Sequence, residues 1–193
     1  MRIGVFGGSF DPVHRGHLAV AQQAVRQLAL DQVLFVPARV QPLKALGPRA
    51  GPEHRVAMLR AAIAGDPALV VDPRELARAA PSYTVDTLRE LKLERPRDQL
   101  FLIVGADAAR DLPRWHEASE VERLATLAVV PRPGAPVPPL PASAVMLALD
   151  PVQVSATTVR EAAAKGETID HLVPKPVADY IAAHRLYRTG VPC

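Results

Sequence analysis

The sequence predicts an α/β fold, a Rossmann-like doubly wound parallel sheet with helices on both faces. Three observations carry this expectation: short apolar runs of strand length, helical periodicity between them, and a glycine turn directly after the first run. The runs are Ile3–Phe6, Val33–Val36, Leu69–Val71, Leu100–Val104, Leu127–Val130 and Val145–Leu149. Their unbroken Val, Leu and Ile content suits strands buried on both faces. Between them, Gly16–Ala29, His54–Ala64 and Thr84–Leu93 place apolar residues at helical spacing, so the alternation reads as βαβ units. After Pro151, helices are expected at about Thr157–Ala164 and Lys175–His184. Two stretches break the pattern. Pro37–Pro52, rich in Pro, Gly and basic residues, is long enough for a mobile active-site loop, and Pro131–Pro141, with six prolines, reads as an extended surface connection. No internal repeat appears, so residues 1–193 are expected to form a single domain with the C-terminal helical segment 155–193 packed on it.

Composition narrows the function classes. At 193 residues and 49% hydrophobic, the chain can bury one sizeable core. Its net charge of +3 is spread through the sequence rather than blocked, which suits small phosphorylated substrates and argues against a nucleic-acid partner. Cys193 is the only cysteine, which excludes an intrachain disulfide and a Cys-based zinc site and disfavours a Cys nucleophile. Neither a leader pattern nor a long uncharged apolar run is present, so the expectation is a cytoplasmic protein with no membrane contact. Only Lys44, Lys92, Lys165 and Lys175 are lysines, asparagine is absent, and there are 20 prolines. A heat-stable protein and a GC-rich genome both produce that bias. Oligomeric state is not legible, and a homo-oligomer is compatible with the composition.

The residues after each run carry the chemistry, because ligands of such sheets bind beyond the carboxyl ends of the strands. Gly7 and Gly8 let the backbone approach an anion, and the helix that follows aims free N–H groups and positive dipole at it. The spacing is not that of the dinucleotide-binding glycine fingerprint. His14 and His17, three apart, share one face of a helical turn. They suit contacts to phosphate oxygens, although capping, core hydrogen bonding or zinc ligation with Asp11 would use the same residues. Late in the chain, Ser155–Arg160 offers hydroxyls and an arginine at a helix start, a second phosphate cradle; equally, Thr158 and Glu161 fit a plain capping box. Backbone N–H groups near Thr84 begin another helix and can receive a carboxylate. Asp107 follows the fourth run and Gly105, where a carboxylate commonly accepts ribose hydroxyls. Trp115, the only tryptophan, is either a core residue or a stacking surface, and Lys44 by composition alone is a surface lysine.

Gly8-Ser9-Phe10-Asp11-Pro12-x-His14-x-Gly16-His17 resembles the signature of the nucleotidyltransferase superfamily related to class I aminoacyl-tRNA synthetases. Five further segments resemble bacterial nicotinate-nucleotide adenylyltransferases: Pro81–Leu88, Gly105-Ala106-Asp107, Pro113-Arg114-Trp115-His116, Val154–Arg160 and Leu172-Val173-Pro174. They run nearly end to end, in the family's order. The resemblance implies ATP as substrate, with Mg²⁺ carried on it, and contacts from Gly8, Ser9, Phe10, His14, His17, Gly105, Asp107, Ser155, Thr157 and Arg160. It also implies nicotinate mononucleotide as the second substrate, held by Thr84, Trp115 and His116; Arg39 is expected to stand in for the asparagine missing at Ala38, and Arg132, after the fifth run, to meet the mononucleotide's phosphate. Lys44, in Gln41-Pro42-Leu43-Lys44, sits where the family's Pro-Pro-His-Lys lysine reaches the triphosphate. The chain departs from the family at Gln41 and Leu43, at Ala38 in place of an asparagine, and at Ala156 in place of a second serine.

The implied reaction is in-line adenylyl transfer giving nicotinate adenine dinucleotide and pyrophosphate, a step of NAD biosynthesis. The nucleophile is already an anionic phosphate, so positioning and charge stabilisation by His14, His17, Lys44 and Arg160 are the expected means, with no resident metal. Two alternatives share parts of this pattern. A pantetheine-phosphate adenylyltransferase shares the opening motif but has no use for Tyr83-Thr84 and Trp115-His116. A non-catalytic nucleotide-binding module has no use for the histidines and cations.

Overall fold

A computed structural model describes residues 1–41, 47–131, 140–149 and 152–188. Six parallel strands form one sheet: β1 (Arg2–Gly8), β2 (Gln32–Pro37), β3 (Leu69–Val71), β4 (Gln99–Gly105), β5 (Thr126–Val130) and β6 (Val145–Met146). Their order, β3-β2-β1-β4-β5-β6, puts the topological switch between β1 and β4. Ile3 there pairs with Gln32 of β2 on one side and Leu100 of β4 on the other. Both central strands end in glycine at the same edge, where the crevice of a doubly wound sheet opens.

Alternation along the strands divides the interior into two cores. Phe6, Val33, Phe35, Phe101 and Ile103 face α1 (Arg15–Gln27), α2 (Pro52–Ile63), α7 (Ala156–Lys165) and α8 (Lys175–Ala183). Ile3, Val5, Leu34, Leu102 and Val104 face α4 (Thr84–Glu94), α5 (Ala106–Arg110) and α6 (Ala118–Leu124). Gly4 shows how close that packing is: a Cβ there would stand 2.8 Å from Leu30 Cδ1 and 3.0 Å from Ile103 Cδ1. The last two helices and the connection between them contribute Val159, Val173, Val177 and Ile181 to the first core, all nearly sealed from solvent. No helix among the described residues is long and apolar enough to cross a membrane.

Most expected elements recur within a residue or two. The last strand is shorter than the apolar run Val145–Leu149, because two glutamine side chains of α1 take its backbone. Gln23 and Gln27 donate to the Ala148 carbonyl at 2.9 and 2.5 Å, and the Ala148 N–H returns a bond to Gln27 Oε1 at 2.9 Å. The short helices α3 (Arg74–Ala77), α5 and α6 and the 3₁₀ turn Leu112–Arg114 were not visible as periodicity, being too brief to show one.

Candidate active site

A cavity of about 610 Å³ opens at the carboxyl ends of β1 and β4. Gly7, Gly8 and Gly105 form its floor side, and Asp107, Thr84, Trp115 and His116 line it as well. A second cavity of about 350 Å³ is lined by Ser9, Asp11, Arg49, Ala156, Thr157 and Arg160. Ala38 and Gln41 line both, so the two spaces adjoin.

Most of the predicted residues fall among the described ones. Tyr83 precedes α4 in extended conformation, which makes Thr84 the first helical residue, with its free N–H end at the larger cavity. Tyr83 and His116 meet ring to ring at 4.5 Å and 35°. Trp115 ends the 3₁₀ turn half-buried, with part of its ring against the second core and part on the cavity wall. Asp107 lies at the start of α5, 3.3 Å from Arg110.

Phe10 turns out differently. Its backbone adopts φ 46° and its ring lies in the first core against Phe6 and Phe35, directly under Gly8. A Cβ on Gly8 would stand 2.9 Å from that ring, so only its main chain is available to a ligand. Arg39 lines neither cavity: its guanidinium donates to the carbonyls of Leu76 and Arg78 at 3.1 and 3.2 Å, drawn by the carbonyl end of α3. That geometry ties Arg39 to α3 rather than presenting it to the larger cavity, where it was expected to stand in for the missing asparagine. Lys44 and Arg132 lie outside the described residues.

The histidines pair face to face, with ring centroids 3.7 Å apart and planes 20° from parallel. His14 caps α1 and is 7% exposed; burial pushes its pKa down to about 4, so the ring is neutral at pH 7. His17 Nδ1 accepts the His14 backbone N–H at 3.2 Å, which places the proton of the neutral ring on Nε2. Neither imidazole lines a cavity, and His17 also makes edge contacts with Phe6 and Phe10. Gly16 permits this stack: a Cβ there would be 3.1 Å from both His14 Nδ1 and Val154 Cγ1.

At the second cavity, Ser155 caps α7, its Oγ accepting the Thr158 N–H at 3.1 Å. The expected capping box from Thr158 to Glu161 is therefore displaced by one turn: Ser155 has the extended backbone a cap requires, and Thr158 is already helical. Arg160, one turn in, donates to the Asp11 carbonyl at 2.7 Å and to Thr157 Oγ1 at 3.1 Å.

Sequence reasoning passed over several residues that build this region. Asp11 is 3% exposed, and its carboxylate accepts Arg49 N–H at 2.7 Å, Ala50 N–H at 3.0 Å and the Tyr187 hydroxyl at 2.8 Å. Arg55, 1% exposed, donates to the carbonyls of Ser9 and Ala38 at 2.8 and 2.9 Å. Its pKa is lowered by desolvation and sustained by nearby Asp11. Glu75 lines the larger cavity from α3; burial raises its pKa, and it accepts the Thr87 hydroxyl at 2.7 Å. No sequence signal separates such buried charges from solvated ones. Asp11, inside the opening motif, was the exception.

The cytidylyltransferase-like family matches residues 5–162. A relative from Thermus thermophilus, named "Probable nicotinate-nucleotide adenylyltransferase", is 47% identical over 97% of this chain and 100% of its own length. One of the same name from Roseiflexus sp. is 43% identical over 96% of this chain and 98% of its own. Among solved structures, the Plasmodium falciparum nicotinic acid mononucleotide adenylyltransferase complexed with NaAD superposes with a TM-score of 0.80. That pair is 19% identical and covers 96% of this chain and 97% of the other, a likeness of fold. With two adjoining cavities at the switch point and near-full-length identity of this order, the chain belongs to the cytidylyltransferase-like family and, within it, to the nicotinate-nucleotide adenylyltransferases.

Proposed function

We propose that this chain transfers the adenylyl group of ATP to nicotinate mononucleotide, releasing nicotinate adenine dinucleotide and pyrophosphate as a step of NAD biosynthesis in the cytoplasm. The observation that carries this reading is the adjoining pair of cavities of unlike character. The larger has aromatic walls and a helix N-terminus at Thr84; the smaller has Arg160 and the start of α7. A dinucleotide being joined needs both.

In the reaction, a 5′-phosphate oxygen of the mononucleotide bonds to the α-phosphorus of ATP as the bond to the β-phosphate bridge breaks. No proton needs to move, so catalysis is orientation and charge stabilisation. His17 Nε2–H donates to a phosphate oxygen, and neutral His14 holds the ring behind it by stacking. Arg160, Thr157 and the N-terminus of α7 receive the departing pyrophosphate, with Lys44 and Ser155 assisting. Asp107 accepts hydroxyls of the adenosine ribose, the backbone of Gly8, Ser9 and Phe10 passes close to the phosphates, and Arg132 meets the mononucleotide phosphate. Mg²⁺ enters on the triphosphate. Asp11, the carboxylate of the smaller cavity, already accepts three hydrogen bonds, and no group of three or more potential metal ligands occurs among the described residues. Residues 1–193 work as one domain in this reading.

Selectivity follows from charge. The N–H groups at Thr84 reward the nicotinate carboxylate, and the amide form carries no charge to reward. Trp115 and the Tyr83–His116 pair supply ring faces for the pyridine. Pyrophosphate release is measured with ATP, Mg²⁺ and either mononucleotide, with phosphopantetheine as a third arm. Turnover at least about tenfold faster with the nicotinate form is expected, from about 1.4 kcal/mol of differential binding. Equal rates would discard the carboxylate pocket, and release with phosphopantetheine alone would discard the substrate.

A further inference from the structure

The smaller cavity is lined by a second arginine, Arg49, besides Arg160, and the two are held in opposite ways. Arg160 is fixed by the Asp11 carbonyl and Thr157 Oγ1. Arg49 is anchored only through its backbone, whose N–H donates to Asp11 Oδ2 at 2.7 Å. Among the described residues its exposed guanidinium makes no hydrogen bond or ion pair. The nearby Asp11 carboxylate accepts the Arg49 and Ala50 N–H groups and the Tyr187 hydroxyl and pairs with Arg160 at 3.9 Å, and the Arg49 guanidinium lies outside that set. An arginine whose main chain is pinned at a cavity and whose side chain is left unpaired suits an anion entering that cavity.

We propose that Arg49 is a binding residue for the leaving pyrophosphate, joining Arg160 on the β- and γ-phosphates of ATP in the smaller cavity. The inference rests on the adenylyl-transfer reading above and adds a residue to it. Two planar forks on one polyphosphate divide the charge that develops as the bond to the α-phosphorus breaks, a role a single fixed arginine fills only in part.

The test uses the whole chain and its Arg49→Ala and Arg49→Lys variants. Inorganic pyrophosphate with Mg²⁺ is titrated calorimetrically into each, and steady-state constants are measured for both substrates. Arg49→Ala is expected to bind pyrophosphate about tenfold more weakly and to lose a similar factor in kcat/KM for ATP. The KM for nicotinate mononucleotide should stay within about twofold, and Arg49→Lys should fall between. Pyrophosphate binding unchanged in Arg49→Ala would overturn the assignment. So would an equal rise in KM for both substrates, which marks a general field effect rather than a contact with the polyphosphate. An unsubstituted chain that makes no dinucleotide would overturn the reading of the reaction, while the calorimetric comparison still decides whether Arg49 holds pyrophosphate. Its side chain is exposed and its anchoring N–H survives substitution, so unchanged melting temperatures are expected and checked.

Discussion

His14 is the residue where local chemistry is most exposed to pH. Its neutral ring is stacked and buried, and its pKa lies near 4 against an ordinary 6.5. The unfolded chain therefore binds a proton between pH 6.5 and 4 that the folded chain refuses. Stability is full above the unfolded value and falls as pH drops through this window. By pH 4.5 the loss from this one group amounts to about 2–3 kcal/mol. Urea denaturation at pH 7.5 and 4.5 checks this: His14→Gln should shrink the difference between the two by most of that amount. A difference unchanged by the substitution would show that the ring does not resist protonation.

At the scale of elements, helix starts are the working parts. Two of the longer ones, α4 and α7, begin at the cavities, and each presents N–H groups that lack helical partners. What satisfies those groups differs. The start of α7 is capped by Ser155, whose hydroxyl also shares a bond of 2.8 Å with Thr158 Oγ1. Ser155→Ala should lower stability by about 1 kcal/mol, measured by denaturant unfolding. If the cap also orders the pyrophosphate end of the site, KM for ATP will rise in the same variant while that for the mononucleotide will not.

Across the whole molecule, Asp11 ties together the opening turn, the segment at Arg49 and Ala50, and the end of the described chain at Tyr187. That last bond, 2.8 Å and buried, joins residues 176 positions apart. Tyr187→Phe leaves the packing volume nearly unchanged and removes one hydrogen bond to a carboxylate. A loss of about 1.5–3 kcal/mol in urea unfolding is expected. Arg55 performs a related function from α2, clamping the carbonyls of Ser9 and Ala38 and so joining the ends of β1 and β2 under the smaller cavity.

Strands and long helices were legible in the sequence, because apolar period and glycine placement are local properties that the sheet realises; strand order, and with it the switch point between β1 and β4, came only with the fold. The sequence also determined that Gly8, Gly105, Asp107, Thr84, Trp115, His116, Thr157 and Arg160 would gather at cavities, since all of them follow or begin elements at one sheet edge. Tertiary structure alone decided the rest. Whether a charged side chain is buried, as in Arg55 and Asp11, depends on neighbours far away in sequence. Phe10 was drawn into the core and Arg39 to the carbonyls of α3 by packing and hydrogen bonds that no spacing records. The pairing of His14 with His17 was implied by a separation of three residues, but their stacking, the neutrality of His14 and the hydrogen bond to His17 Nδ1 came from the folded turn.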